Sequence, residues 1–143
     1  MTTSFQQLTD IRDAAIRLHL DGSQHLEYLP LEVLAAAYNG TGPEFLQDSI
    51  RQKLDAACRP FLPAVQIHDV DYTFSDGSVK AFKQANTRLL RNCITCAMDA
   101  HPWTSWKRYA LILEAWALYR ACEKFGWIAW IQAYNKRKEK PNE

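Results

Sequence analysis

Charge of one sign is almost missing from this sequence: 17 Lys and Arg stand against 16 Asp and Glu, a formal net charge of +1. That balance gives no electrostatic reason to expect DNA or RNA as a partner. Long apolar runs are missing too. The best candidate, from Tyr109 to Tyr134, is broken by Glu114, Arg120, Glu123 and Lys124, so no membrane span is expected. No segment alternates with period two for long enough to make a strand, and no repeat, low-complexity stretch or linker divides the chain. The opening residues, Met1 to Gln7, hold no basic region followed by an apolar run, which predicts a cytoplasmic protein without a secretory leader. In that compartment Cys58, Cys93, Cys96 and Cys122 are expected to be reduced thiols.

What is present describes an ordinary globular chain. Its 143 residues, 48% of them hydrophobic and 23% charged, suit a single domain spanning 1–143. Helical spacing recurs throughout, so the expected class is all-α. Thr9 to Leu20 carries Ile11, Ala15, Ile16 and Leu18, and Asp21-Gly22 is its stop. A short helix is expected from Pro30 to about Ala37, and another from Pro43 to about Cys58 with Phe45, Leu46, Ile50 and Leu54 inward. Pro63 then opens a helix that buries Ile67, Val70 and Phe74. After a turn at Ser75-Asp76-Gly77, a long helix from about Ser78 to Met98 carries a stripe of Val79, Phe82, Ala85, Leu89, Leu90, Cys93 and Cys96-Ala97. A last long helix, Thr104 to Phe125, is apolar on most of its circumference, and Gly126 ends or bends it before Trp127 to Tyr134.

One cluster of polar groups stands out on this frame. His68 and Tyr72 are four residues apart and share a helix face, with Asp69 beside His68 and Asp71 close by. Asn86 lies in the middle of the next helix's apolar stripe, and a buried amide left unpaired costs about 1–3 kcal/mol. Two antiparallel helices joined at Asp76-Gly77 would bring Asn86 opposite His68 or Tyr72. Periodicity therefore predicts a central antiparallel helix pair with a His–Asn or Tyr–Asn hydrogen bond. Such a bond is either part of a reactive site or a polar pair that merely specifies the core.

His68-Asp69-Val70-Asp71-Tyr72 resembles the H-D-x-x-Y helix motif of the phospholipase A2 superfamily. Upstream, Tyr38-Asn39-Gly40-Thr41-Gly42 is similar to that superfamily's Y-x-G-x-G calcium loop. The likeness is closest to small phage and prophage phospholipase-A2-like proteins, through Asn39-Gly40-Thr41-Gly42-Pro43 and the stretch Asn86 to Asn92, and it covers about residues 38–125. The resemblance implies a calcium-dependent lipid-ester hydrolase acting at a phospholipid or membrane surface. It makes His68 the general base, and it makes Asp69, with backbone carbonyls around Asn39, Gly40 and Gly42, the Ca²⁺ ligands. Tyr72 would hydrogen-bond residue 86, ordinarily an aspartate that orients the imidazole and stabilises its charged form. Here Asn86 holds the ring without supplying charge, so weak catalysis is expected, and Asn86→Asp is expected to raise the rate. The secreted members' disulfides are also missing, as they are from the phage-like ones. From a different class, the chain is a non-catalytic phage or prophage module that keeps the scaffold for a structural or interaction role.

Three other constellations are present in the sequence. An HD-type metal phosphohydrolase would pair His68-Asp69 with His19 or His25 and Asp99, but it leaves Asn86 unexplained. Cys93 and Cys96 have metal-pair spacing, with His101 and Cys122 as further ligands, although small thiols also pack well on an inward stripe. Trp103, Trp106, Trp116, Trp127 and Trp130, with Tyr109, Tyr119 and Tyr134, load the last third with aromatics. They make either an interface to a membrane or protein, or the buried face of a long helix. The basic run Lys136-Arg137-Lys138 reads as a solvated tail.

Overall fold

A computed structural model describes residues 3–38 and 56–139. Among the described residues every regular element is helical, so the all-α expectation holds. The order is α1 (Phe5–Arg17), α2 (Ser23–Leu26), α3 (Leu31–Ala37), a 3₁₀ turn (Arg59–Phe61), α4 (Leu62–Thr73), α5 (Val79–Ala100) and α6 (Trp106–Lys138). The helix expected from Pro43 to Cys58 lies largely outside the described residues. No helix among those described is long and apolar enough to cross a membrane.

Local capping decides where these helices begin. α1 starts four residues before Thr9 because Ser4 and Gln7 close a capping box, and this reciprocal pair satisfies two otherwise orphaned backbone donors. Thr9 sits inside the helix instead, its hydroxyl bonded to the Phe5 carbonyl. α4 begins with Pro63 in its first turn, where the missing N–H costs nothing. Phe74, expected in the core, falls just past the end of α4 and is 48% exposed. In the turn that follows, Asp76 Oδ1 accepts from the Ser78 N–H and hydroxyl, and Ser78 in turn caps α5 at Ala81. Gly77 lies there at φ +77°, and an added Cβ would come 2.9 Å from the Tyr134 ring, so only glycine fits. Val79, assigned to the inward stripe, is exposed at the start of α5, while Phe82, Ala85, Leu89, Leu90, Cys93, Cys96 and Ala97 are buried as the period requires.

The main core gathers Leu8 and Ala15 from α1, Leu34 from α3, Phe61, Ile67 and Val70 around α4, and Leu89, Cys93 and Ala97 from α5. A smaller cluster of Phe82, Ala85 and Trp130 packs on Tyr72. The segment between α1 and α2 is held to α5 by Asn92, buried on α5. Its amide accepts from the Asp21 N–H at 2.9 Å and donates to the Asp21 carbonyl at 2.9 Å, about 1 kcal/mol each. Arg88 adds a pair with Asp71 at 2.9 Å and one with Asp21 at 3.3 Å.

α6 departs most from expectation. It is one continuous helix of 33 residues, about 50 Å long, and it runs straight through Gly126. Arg108 fixes its start by donating to the Met98 and His101 carbonyls, both at 2.7 Å, at the end of α5. The rest of the domain cannot cover so long a rod. Only Ala115 and Trp130 are buried along it, whereas Trp103, Trp106, Tyr109, Leu113 and Trp116 stand exposed at its leading end. The aromatic-rich third is therefore only partly core. Lys136, Arg137 and Lys138 occupy the last turn of α6, where cations favour the carbonyl end of the helix dipole.

Candidate functional site

Three helices meet at one buried amide. α4 presents His68 and Tyr72 on one face, their ring centroids 4.3 Å apart, as four-residue spacing dictates. From α5, Asn86 points at both. Its side chain is fully buried, its Oδ1 lies 2.9 Å from His68 Nε2, and it accepts a hydrogen bond from the Tyr72 hydroxyl at 2.8 Å. Periodicity left open whether His68 or Tyr72 met Asn86, and both do. α6 supplies the third side: Asn86 Nδ2 donates to Glu123 Oε1 at 3.2 Å.

Glu123 was missed in the sequence, where it counted only as a break in an apolar run. A weak signal was available. Glu123, Gly126 and Trp130 recur at spacings of three and four, a single helix face, and that face meets Tyr72 and Asn86. Gly126 is there for room. A Cβ at that position would lie 2.5 Å from the Tyr72 hydroxyl, so the absent side chain is the space the phenol occupies. Trp130 closes the site with an edge-on contact to Tyr72 at 5.0 Å, and Phe82 packs behind both.

His68 and Tyr72 are each half-buried beside the fully buried Asn86, and this partial enclosure sets the site's electrostatics. Burial pushes the His68 imidazole down from its usual 6.5 to about 4, and the Asn86 hydrogen bond only partly opposes that shift. Burial likewise raises the Tyr72 phenol, so it stays a protonated donor. A histidine whose folded pKa is depressed binds fewer protons than its unfolded counterpart between the two values. Its neutral burial therefore costs no stability above about pH 6.5, and stability falls as pH drops from there through about 4. Urea unfolding at pH 7 and pH 4 should show the chain losing on the order of 1–3 kcal/mol more than His68→Gln does. Asp71, raised chiefly by burial and opposed by Arg88, pulls the other way in both proteins and cancels in the comparison. Equal losses in the two proteins would mean that His68 is not desolvated.

The remaining predicted residues divide clearly. Asp71 turns away from His68 to Arg88. Asp69 sits on α4 next to His68, with its main-chain carbonyl accepting from Thr73 and its charge felt at the Cys122 thiol of α6. Asn39, Gly40 and Gly42 lie outside the described residues. Among the described residues no three His, Cys, Asp or Glu side chains converge as a metal group. Asp99, which the phosphohydrolase reading needed, pairs instead with exposed Arg17 at 3.7 Å. Cys93, Cys96 and Cys122 are free thiols. Burial raises all three, Cys96 to about 11 and Cys122 to about 12, as expected of thiols packed in a core. No family model matches the chain, and neither does any curated protein or solved structure.

Proposed function

We propose that this chain is a weak calcium-dependent hydrolase of lipid esters, of the phospholipase A2 type, working in the cytoplasm at a phospholipid surface. The observation that carries the proposal is the trio of His68, Tyr72 and Asn86 joined across α4 and α5 at 2.9 and 2.8 Å. With Nε2 engaged by Asn86 Oδ1, the other ring nitrogen, Nδ1, is the position for a base. No hydrogen bond occupies it among the described residues. In this reading Nδ1 takes a proton from water as the water oxygen adds to the ester carbonyl. The Nε2–H keeps its bond to Asn86 while the ring is charged, and the proton then passes to the leaving alcohol as the acyl–oxygen bond breaks. Asp69 is a hard oxygen donor of the kind calcium prefers, and backbone carbonyls at Asn39, Gly40 and Gly42 would supply the rest of the set. A bound calcium ion would polarise the ester carbonyl and stabilise its developing negative charge. Asn86 provides no charge for the imidazolium, and an imidazole lowered to about 4 is a poor base, so slow turnover follows from the site itself.

The second reading is a non-catalytic phage or prophage module. It is favoured by Trp103, Trp106, Tyr109, Leu113 and Trp116, large apolar side chains that stand exposed and recur every three or four residues around the start of α6. Fatty-acid release from phospholipid vesicles in millimolar calcium separates the two. The hydrolase reading expects slow release that His68→Ala abolishes. It also expects calorimetric calcium binding, with Kd on the order of 10⁻⁴–10⁻³ M, that Asp69→Ala removes. Release no faster than that of His68→Ala, with no heat on calcium addition, would leave the module as the better account.

A further inference from the structure

An asparagine side chain presents nearly the same shape when its oxygen and nitrogen are exchanged, so its orientation is decided by its neighbours. Among the described residues, three groups bond the buried amide of Asn86. The Tyr72 hydroxyl can donate or accept. The His68 Nε2 can do either, according to which ring nitrogen carries the proton. A carboxylate can only accept, so of these three groups Glu123 is the one that distinguishes the two orientations. Its Oε1, 3.2 Å from Asn86 Nδ2, requires the NH₂ on the α6 side and thereby turns Oδ1 toward α4. Reversed, the amide would set its oxygen against the carboxylate and its NH₂ against Nε2. The ring proton would then be forced onto Nδ1, the atom the chemistry needs bare.

We infer that Glu123 is a positioning residue, which through the Asn86 amide holds His68 as the Nε2–H tautomer with Nδ1 free to accept a proton. The carboxylate also strengthens the arrangement, because an amide that donates to an anion becomes a better acceptor at its oxygen. Gly126, one turn further along α6, admits the Tyr72 hydroxyl beside it, so one helix face both orients the amide and leaves space for its second donor. The catalytic meaning of this device rests on the hydrolase reading, whereas the tautomer itself does not.

The test therefore needs neither substrate nor calcium. With the ring neutral, the long-range proton–nitrogen correlations of His68, assigned by their loss in His68→Gln, report the tautomer directly. The natural chain should show a protonated Nε2 and a bare Nδ1. Glu123→Gln keeps the shape but can donate as well as accept, so both amide orientations become available. The two ring nitrogens should then move toward averaged shifts, and Glu123→Asp should move them back. A natural chain protonated at Nδ1, or a Glu123→Gln ring still wholly Nε2–H, would overturn the inference. Either result is independent of whether vesicles are hydrolysed, so the two readings fail separately.

Discussion

On the proposed hydrolase reading, Asn86→Asp combined with Glu123→Gln should hydrolyse phospholipid vesicles in calcium on the order of ten to a hundred times faster than the natural chain. Asn86→Asp alone should gain far less. A carboxylate at position 86 would stabilise the imidazolium and raise the His68 pKa from about 4. Each unit regained is about 1.4 kcal/mol between the two protonation states, and part of that reaches the transition state. From the sequence alone the single substitution looks sufficient. The structure places Glu123 in the way: the 3.2 Å contact that now joins an amide NH₂ to a carboxylate would become two carboxylates. At that separation the pair holds a shared proton, and much of the added charge is cancelled. Glutamine at 123 restores a donor to the new carboxylate and frees its charge for His68. Initial rates across pH supply the check, since the acid limb should move to higher pH in the double variant. Equal rates for the single and double variants would show that Glu123 does not reach residue 86.

The second large effect is on stability and changes sign with its background. Gly126→Ala should destabilise the natural chain by about 1–3 kcal/mol, the usual range for overpacking. The new methyl would meet the Tyr72 hydroxyl at 2.5 Å and drive it off Asn86 Oδ1. In a Tyr72→Phe background the hydroxyl is gone, and the next contacts, the ring carbon of residue 72 at 3.5 Å and Phe82 at 3.4 Å, are ordinary. There the same substitution should stabilise, because alanine exceeds glycine inside a helix by about 1 kcal/mol. Thermal unfolding of the four proteins in this cycle measures the coupling. Destabilisation of similar size in both backgrounds would mean that the glycine serves something other than the phenol.

That cycle also shows why Gly126 misleads in the sequence. Glycine in a helical pattern marks a terminus or a bend when only local propensity is weighed. α6 passes through it because packing against Tyr72 outweighs a local cost of about 1 kcal/mol. The end of α4 is similar: hydrophobicity puts Phe74 inside, yet the helix stops one residue short and leaves it at the surface.

Period and spacing, properties of the chain itself, determined that the described residues form helices and which face of α5 is buried. They also determined that His68 and Tyr72 share a face, and that Asn86 in an apolar stripe needed a partner. Local hydrogen-bonding chemistry at Ser4 and Ser78 set two helix starts in the same way. Only the tertiary structure decided that Asn86 bonds both residues of α4, that Asp71 belongs to Arg88, and that Glu123 reaches Asn86 from 37 residues away. It alone left the leading aromatics of α6 uncovered. The physical reason is range. Helical periodicity reports neighbours within a turn or two, whereas contacts between helices depend on how whole elements dock, which no short window of sequence contains.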